Sequence, residues 1–477
     1  MLYTNSLPGS GKTTHLIKQI KEEVDEKFIL VCPTTEHMQE VYDKLNINSR
    51  KSIGVMITSG YHNRVVDQLM FAARNGERVI MITYACLMLI DRKNAKKLRE
   101  YNLIIDESFN IATFKNYQLE RCLQKGGFLD RIVGYKPFFD DDPDFCRLFI
   151  KDHDELAEYI KYPDTIDTLT NKETTEFLNS INDDRFIVIA NRQDHSRQAN
   201  FTVGTFYNVN LLKYYKSVHL YSAFFEYTSL YNFLEFFYDL KQFEIDARSM
   251  DHRLEKLYIY ALIEDRRYSK RVRDTCTVKP KNVLGKALTI TGYKEAVKRA
   301  DIRFKDCIDI SNLDDDNDDV LGTSVKAKCH GINKHRDKTA ISVVGAYNAA
   351  PEVRTFLEKL YGENYCQWTE GNIIDGIQRI MRTNLRDWDS DKEVHALVND
   401  MDSANMIKKL LKHPKIKRHK LADEYVVVGP EKTKSLEGFY KNGKPKLTEE
   451  EKREKKRLLN QKLYEKRQKS DLNNQDV

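Results

Sequence analysis

A glycine-rich loop, SLPGSGKTTHL at residues 6–16, stands between a short apolar stretch and a segment with helical apolar spacing. Few stretches of this length restrict a fold so far. The pattern G-x-x-x-x-G-K-[ST] wraps backbone N–H groups around a phosphate and presents it to the positive end of a helix, so it needs a strand before it and a helix after it. Ser6 stands at the first glycine position, and Gly9, Gly11, Lys12 and Thr13 occupy the later ones. The candidate nucleotide-binding residues are therefore Pro8, Gly9, Ser10, Gly11, Lys12, Thr13 and Thr14. Glycines let the N–H groups turn inward, Lys12 would neutralise β/γ charge, and the Thr13 hydroxyl would ligate Mg²⁺.

The residues that follow have the order such a loop demands. Leu16, Ile17, Ile20 and Val24 predict a helix, KFILVCPT (27–34) a buried strand, and EHMQEVYDKL a second helix. RVIMITYACLMLI (78–90) and YNLIIDESFN (101–110) are further apolar segments. This alternation predicts α/β architecture on a parallel sheet. LIIDES places Asp106 at the carboxyl end of a strand, where ligands of such sheets bind. Asp106 is the second candidate metal residue beside Thr13, and Glu107 is the candidate that polarises an attacking water.

Residues 111–210 lack the alternation, are rich in aromatics and carry acidic stretches such as FFDDDPDFC; they are expected to form a mostly helical insertion. KSVHLYSAFFEYTSL (216–230) returns to a strand and turn. A second α/β series follows at 256–265, 282–300, 339–360 and 394–399. The expected division is 1–110 with 211–245 as a first domain, 111–210 as the insertion, 246–430 as a second domain and 431–477 as a tail. The run DDDNDD (314–319) lacks the glycine and the closing glutamate of a calcium loop and is expected to be a solvated acidic loop.

The glycine loop, CPTTEHMQEVYDKL, ITYACL, IIDES, LYSAFFE, HGIN and QRIMRTNLR occur in the order of the superfamily 2 helicase motifs. Over roughly residues 1–400 the chain resembles that family, and is most similar to the DEAD/DEAH-like helicases of phages, plasmids and herpesvirus origin-binding proteins. The resemblance implies two RecA-like domains that sandwich ATP with Mg²⁺ while nucleic acid, DNA for the nearest groups, runs across both. It implies nucleic-acid contacts at Thr34, Thr35, Thr83, Gly331 and Asn333, and a coupling element at Ser222 and Ala223 with Phe224 where threonine is usual. It implies catalytic roles for Gln378, Arg382 and Arg386 from the second domain. Met381 replaces the usual glycine and the second arginine falls one position late, so Arg379, Arg382 and Arg386 all compete to be the arginine that reaches the γ-phosphate, Arg382 first. No adenine-reading segment before the loop is implied. Trp368 and Trp388 flank this motif, either stacking on bases or packing in the core; His330 and His335 read as ordinary loop histidines.

Composition narrows the class further. No run approaches 18 apolar residues, the start lacks a signal-peptide pattern, and eight scattered cysteines without CxxC spacing read as reduced thiols, so a cytoplasmic protein, in a host if viral, is expected. Residues 431–477 hold 14 Lys/Arg against 9 Asp/Glu, almost the whole net charge of +6. A tail that meets a polyanion and a near-neutral body follow. The leading expectation is an ATP-dependent DNA helicase or translocase of a phage or mobile element, with other replication proteins as further partners. A nucleotide-gated origin-binding or remodelling protein is the alternative, and a terminase-like motor or a P-loop kinase fits less well.

Overall fold

The computed structural model describes residues 1–47, 52–59, 64–117, 131–139, 145–161, 171–191, 201–263, 268, 277–280, 288–289, 304, 307–309, 322–324, 335–345, 349–363, 365–418 and 425–428. Gly331 and Asn333, His330, the acidic run 314–319, most of 282–300 and the tail 431–477 lie outside them. The chain divides into two compact units, Met1–Ser269 with Lys294–Ala422 and Lys270–Tyr293 with Asp423–Val477.

The larger unit holds two all-parallel sheets. The first has seven strands in the order Lys241–Gln242, Leu2–Asn5, Ser217–Ser222, Tyr101–Asp106, Lys27–Cys32, Val79–Thr83 and Val55–Met56. Its inner strands are apolar on both faces because helices cover both. Phe28, Leu30 and Ile104 pack with Leu16, Ile20 and Val41 of the helices Lys12–Glu22 and Thr35–Asn46. Ile29, Val31, Leu103 and Ile105 face the opposite core. Val24, expected on the apolar stripe of the first helix, lies beyond its end and is exposed.

The second sheet runs Gly322–Ser324, Cys307–Asp309, Ala340–Ser342, Val394–Asp400, Leu257–Ile263 and Lys415–Arg418, again entirely parallel. Its core contains Leu257, Ile259, Ile341, Ala396 and Val398, covered by Ile377, Ile380 and Ile407 from helices. The fold class is therefore α/β with two parallel sheets, the arrangement of two RecA-like domains.

The insertion differs from expectation. Among the described residues it is not mostly helical: Ala112–Tyr117, Phe201–Tyr207, Phe186–Asn191, Phe145–Ile150 and Val133–Pro137 form a five-stranded antiparallel sheet, with helices at His153–Lys161 and Asn171–Asn182. Residues two apart share a face of these strands, and apolar side chains supply both faces. Phe145, Ile187, Ile189 and Phe206 join the core of the first parallel sheet, while Leu148, Val188, Ala190 and Val203 face Leu156, Phe177 and Leu178 of the insertion's own helices. The core of the first sheet also takes Phe356 and Leu360 from the helix Pro351–Tyr361.

The smaller unit contains a three-stranded antiparallel sheet, Leu288–Thr289, Thr277–Pro280 and Tyr425–Val428. Among the described residues no helix is long and apolar enough to cross a membrane.

Candidate nucleotide-binding cleft

Strand register brings the distant motifs to one edge. Asn5 pairs with Ser222, and Tyr221 pairs with Asp106, so the strand before the glycine loop, the strand ending in Ser222 and the strand ending in Asp106 finish side by side. The crevice outside the carboxyl ends of a parallel sheet is where its ligands bind. Gly9 and Gly11 adopt φ of 82° and 96°, a left-handed conformation that costs glycine nothing, and Gly11 opens the helix Lys12–Glu22. That helix end carries no side-chain cap, leaving its N–H groups to meet an anion.

Lys12 is buried, and its ammonium donates to the carbonyls of Leu7 at 2.9 Å and Ser6 at 3.2 Å. Burial pushes its pKa down to about 8, against the pull of Glu107 and Asp106, and Arg386 lowers it further. The Thr13 hydroxyl donates to Asp106 Oδ2 at 3.2 Å. A hydroxyl and a carboxylate oxygen facing each other at the start of a phosphate-binding helix are the hard donors that Mg²⁺ takes, so Thr13 and Asp106 fit that ion.

His37 also reaches Asp106 Oδ2, with Nε2 at 2.8 Å. Burial opposes its charge, but the hydrogen bond and charge of Asp106, with Glu107 and Glu40, outweigh it and raise its pKa above the ordinary value. Glu107 stands at φ 74°, a conformation that is strained by about 1–3 kcal/mol for a residue with a side chain. Its N–H donates to Tyr221 O at 2.7 Å, and the Tyr84 hydroxyl donates to the carbonyls of both Asp106 and Glu107. Thus the neighbouring strand and the ITYACL segment together hold the turn that aims Glu107 into the cleft.

The second sheet supplies the facing wall. The helix Asp375–Ile380 ends at Met381, and Arg382 follows with its N–H bonded to Arg379 O. Gln378, Arg382 and Arg386 line the same cleft of about 460 Å³ as the glycine loop, Asp106, Glu107 and Ala223. Arg379 lies near Asp375, 3.8 Å away on its own helix. Arg382 is 5% exposed, and its Nε and Nη1 have no hydrogen-bond partner among the described residues. Arg386 anchors Nε on Met381 O at 3.0 Å, and its pKa is pushed down to about 10, by burial first and then by Arg382. Seven cationic side chains (Lys12, Lys18, Lys44, Arg248, Arg336, Arg382 and Arg386) and three carboxylates (Asp106, Glu107 and Asp246) line the cleft. The excess of positive charge suits a polyphosphate.

The other motif residues are distributed around this centre. Ser222 is buried with its hydroxyl on Ala223 O at 3.4 Å, and Ala223 borders the cleft. Phe224, at φ 52°, packs with Ala223 and Met381 in the core of the second sheet. A Cβ placed on Gly9 would stand 3.7 Å from Met250 Cε and 3.8 Å from Met381 Cε, so Met381 abuts the glycine loop. The hydroxyls of Thr34 and Thr83 cap helices, accepting from His37 N–H at 3.1 Å and Cys86 N–H at 3.4 Å, and Thr35 donates to Glu36.

Sequence reasoning missed His37, Tyr84, Arg336 and Arg248 as residues of this site. The first two sit inside motifs assigned to nucleic acid, and only the strand order turns them toward Asp106 and Glu107. Arg336 lies five residues past Gly331 in the HGIN segment and carried no signal of its own.

No family model matches the chain, and no curated protein matches it. Among solved structures it is similar to Xpd4 of S. tokodaii, at 10% identity over 87% of this chain and 96% of that chain, with a TM-score of 0.44. It is similar to S. cerevisiae Dbp5 bound to RNA and ADP BeF3, at 9% identity over 88% and 86%, TM-score 0.37. A third is the arterivirus nonstructural protein 10, a helicase in complex with DNA, at 10% identity over 86% and 63%, TM-score 0.29. At such values the case for a function rests on the geometry of this chain's own cleft.

Proposed function

We propose that this chain hydrolyses ATP and uses the cycle to move along or unwind nucleic acid. One observation carries the reading: the glycine loop, the Asp106–Glu107 pair and the Arg382–Arg386 pair, drawn from two parallel sheets, line one cleft. In this reading Lys12 and the N–H groups of the loop hold the β- and γ-phosphates. Thr13 and Asp106 would hold Mg²⁺, which neutralises charge on the phosphate oxygens. Glu107 takes a proton as water attacks the γ-phosphorus and the bond to the departing ADP oxygen breaks. Arg382 meets the charge that develops on the γ-oxygens, a contribution of about 10³–10⁵ in rate for an arginine so placed. Because that arginine belongs to the second sheet, nucleotide binding would draw the two walls together and hydrolysis would release them.

DNA as the track, with replication or recombination of a phage or mobile element as the setting, follows from the resemblance of the motifs. Thr34, Thr35, Thr83, Gly331 and Asn333 are its proposed nucleic-acid residues, and Ser222 with Ala223 the coupling element. The test is ATPase activity with and without single-stranded DNA, duplex DNA and RNA, followed by strand displacement on tailed duplexes. DNA-stimulated turnover with displacement supports the reading. Nucleotide-dependent DNA binding without displacement identifies the origin-binding alternative, and no turnover under any condition refutes the motor.

A further inference from the structure

The phosphate end of the cleft is accounted for by Lys12, Thr13, Asp106, Glu107, Arg382 and Arg386, but its lining extends further. Trp388, two residues past Arg386, lines the same cleft as the glycine loop, together with Asp246 and Arg248. Both tryptophans of the chain are half-buried and pack against the core of the second sheet, and of the two Trp388 lines the cleft.

The surroundings of Trp388 fix it in place. His252 lies 5.3 Å from it, ring to ring, and approaches its carbonyl through Nε2 at 3.4 Å. The Arg248 guanidinium stands over the indole at 5.6 Å from the ring centroid. Arg248 N–H donates to Ser10 O at 3.0 Å, so the segment linking the two sheets is tied directly to the glycine loop. An indole face, a planar guanidinium and an exposed carboxylate, Asp246, therefore meet at one end of a phosphate cleft. Nothing in phosphate chemistry requires an indole there. A nucleotide has a second half that does: a flat base with a π-face and, beside it, amino and hydroxyl donors. Stacking on an aromatic ring or an arginine plane holds such a base whatever its hydrogen-bonding edge.

We infer that Trp388 and Arg248 form the platform on which the base of the bound nucleotide stacks, with Asp246 accepting from donors at the base–ribose end. This rests on the nucleotide reading of the cleft and adds the means by which the site distinguishes a nucleotide from a bare polyphosphate. It also places Trp388 among nucleotide residues instead of on the nucleic-acid track.

Because the chain has two tryptophans, Trp368→Phe leaves Trp388 as its sole indole. Titrating that variant with ATP should quench its emission, whereas inorganic tripolyphosphate, shown to occupy the site by competing with ATP, should leave it unchanged. Trp388→Ala should weaken ATP binding about tenfold to a hundredfold, the scale of one lost stacking partner, with tripolyphosphate affinity held within twofold. Trp388→Phe should restore most of the loss, and Arg248→Ala, on an exposed side chain, should weaken ATP binding in the same selective sense. Equal losses for ATP and tripolyphosphate in Trp388→Ala, or unchanged ATP binding, would overturn the platform. If the unaltered protein binds neither, the nucleotide reading itself fails and the platform with it.

Discussion

Replacing Arg382 with methionine should move activity and stability in opposite directions. The guanidinium is 5% exposed, and two of its nitrogens have no hydrogen-bond partner among the described residues. It also presses on Arg386, whose pKa falls to about 10 under burial and the charge of Arg382. Holding Arg386 charged so far below its ordinary value costs on the order of 3 kcal/mol, Arg382 supplying the lesser share after burial. Methionine has a comparable reach without the charge, so the part of this cost that Arg382 adds should be recovered in the ligand-free protein. The melting temperature should therefore rise. The chemical step should suffer the reverse. Losing the cation that faces the transferred phosphoryl group should slow turnover by at least about a hundredfold, with ATP affinity changed far less. Differential scanning fluorimetry without nucleotide and steady-state hydrolysis of ATP measure the two effects on one preparation. Turnover within tenfold of the unaltered protein would refute the assignment of Arg382. A lower melting temperature would refute the argument that its charge is held at a cost, and a larger rate loss in Arg386→Ala would show that the wrong arginine was chosen.

Glu107→Gln should bind ATP normally and stall hydrolysis, since Thr13 and Asp106 are untouched; normal turnover in a steady-state assay would remove Glu107 from the chemistry. Lys12 should make binding depend on pH: with its pKa at about 8 in the ligand-free fold, ATP must restore a proton above that pH. Affinity measured by calorimetry should therefore be flat below about pH 8 and fall by up to tenfold for each pH unit above it, whereas Lys12→Arg, charged throughout, should lack that fall. Tyr84→Phe should reduce turnover more than ATP affinity, because it releases the Asp106 and Glu107 carbonyls and leaves the phosphate loop alone; an unchanged rate constant would show that the strand alone holds the turn. Deleting residues 431–477 should weaken DNA binding and flatten its salt dependence while basal hydrolysis persists, as expected of charges that release counterions; an unaltered slope in binding titrations at several salt concentrations would leave the tail as solvated surface.

The parts of this molecule that were legible from sequence are those whose physics is local. The glycine loop needs particular backbone angles within three residues, and the structure has them at Gly9 and Gly11. LIIDES is an uninterrupted apolar run, and it lies fourth among seven parallel strands. The insertion was misread because its sheet is closed by distant partners: Ala112 pairs with Phe206, across most of the insertion's own length, and no turn signal advertises such a pairing. Thr34 and Thr83 illustrate a second limit. Their type suits either a nucleic-acid contact or a helix cap, and both hydroxyls cap helices. Arg248 and Trp388 were illegible as a pair for a third reason, since nothing in the sequence joins two residues 140 positions apart that the fold brings to within 5.6 Å.

Phe356 has a consequence of its own. This residue belongs to the helix Pro351–Tyr361, yet its ring lies 5.4 Å from Phe114, 5.2 Å from Phe145 and 6.4 Å from Phe206, all three in the insertion. Nearby, Glu370 accepts from Ser229 N–H and hydroxyl, and Tyr365 donates to its other oxygen at 2.6 Å. An aromatic knot and a half-buried carboxylate thus rivet the two halves of the larger unit together. In the proposed cycle any closing of the cleft would have to leave these contacts made, so the knot would be the point about which the two sheets turn. On that reading, softening the insertion around Phe114, Phe145 and Phe206 would change the movement without touching a group that meets the nucleotide.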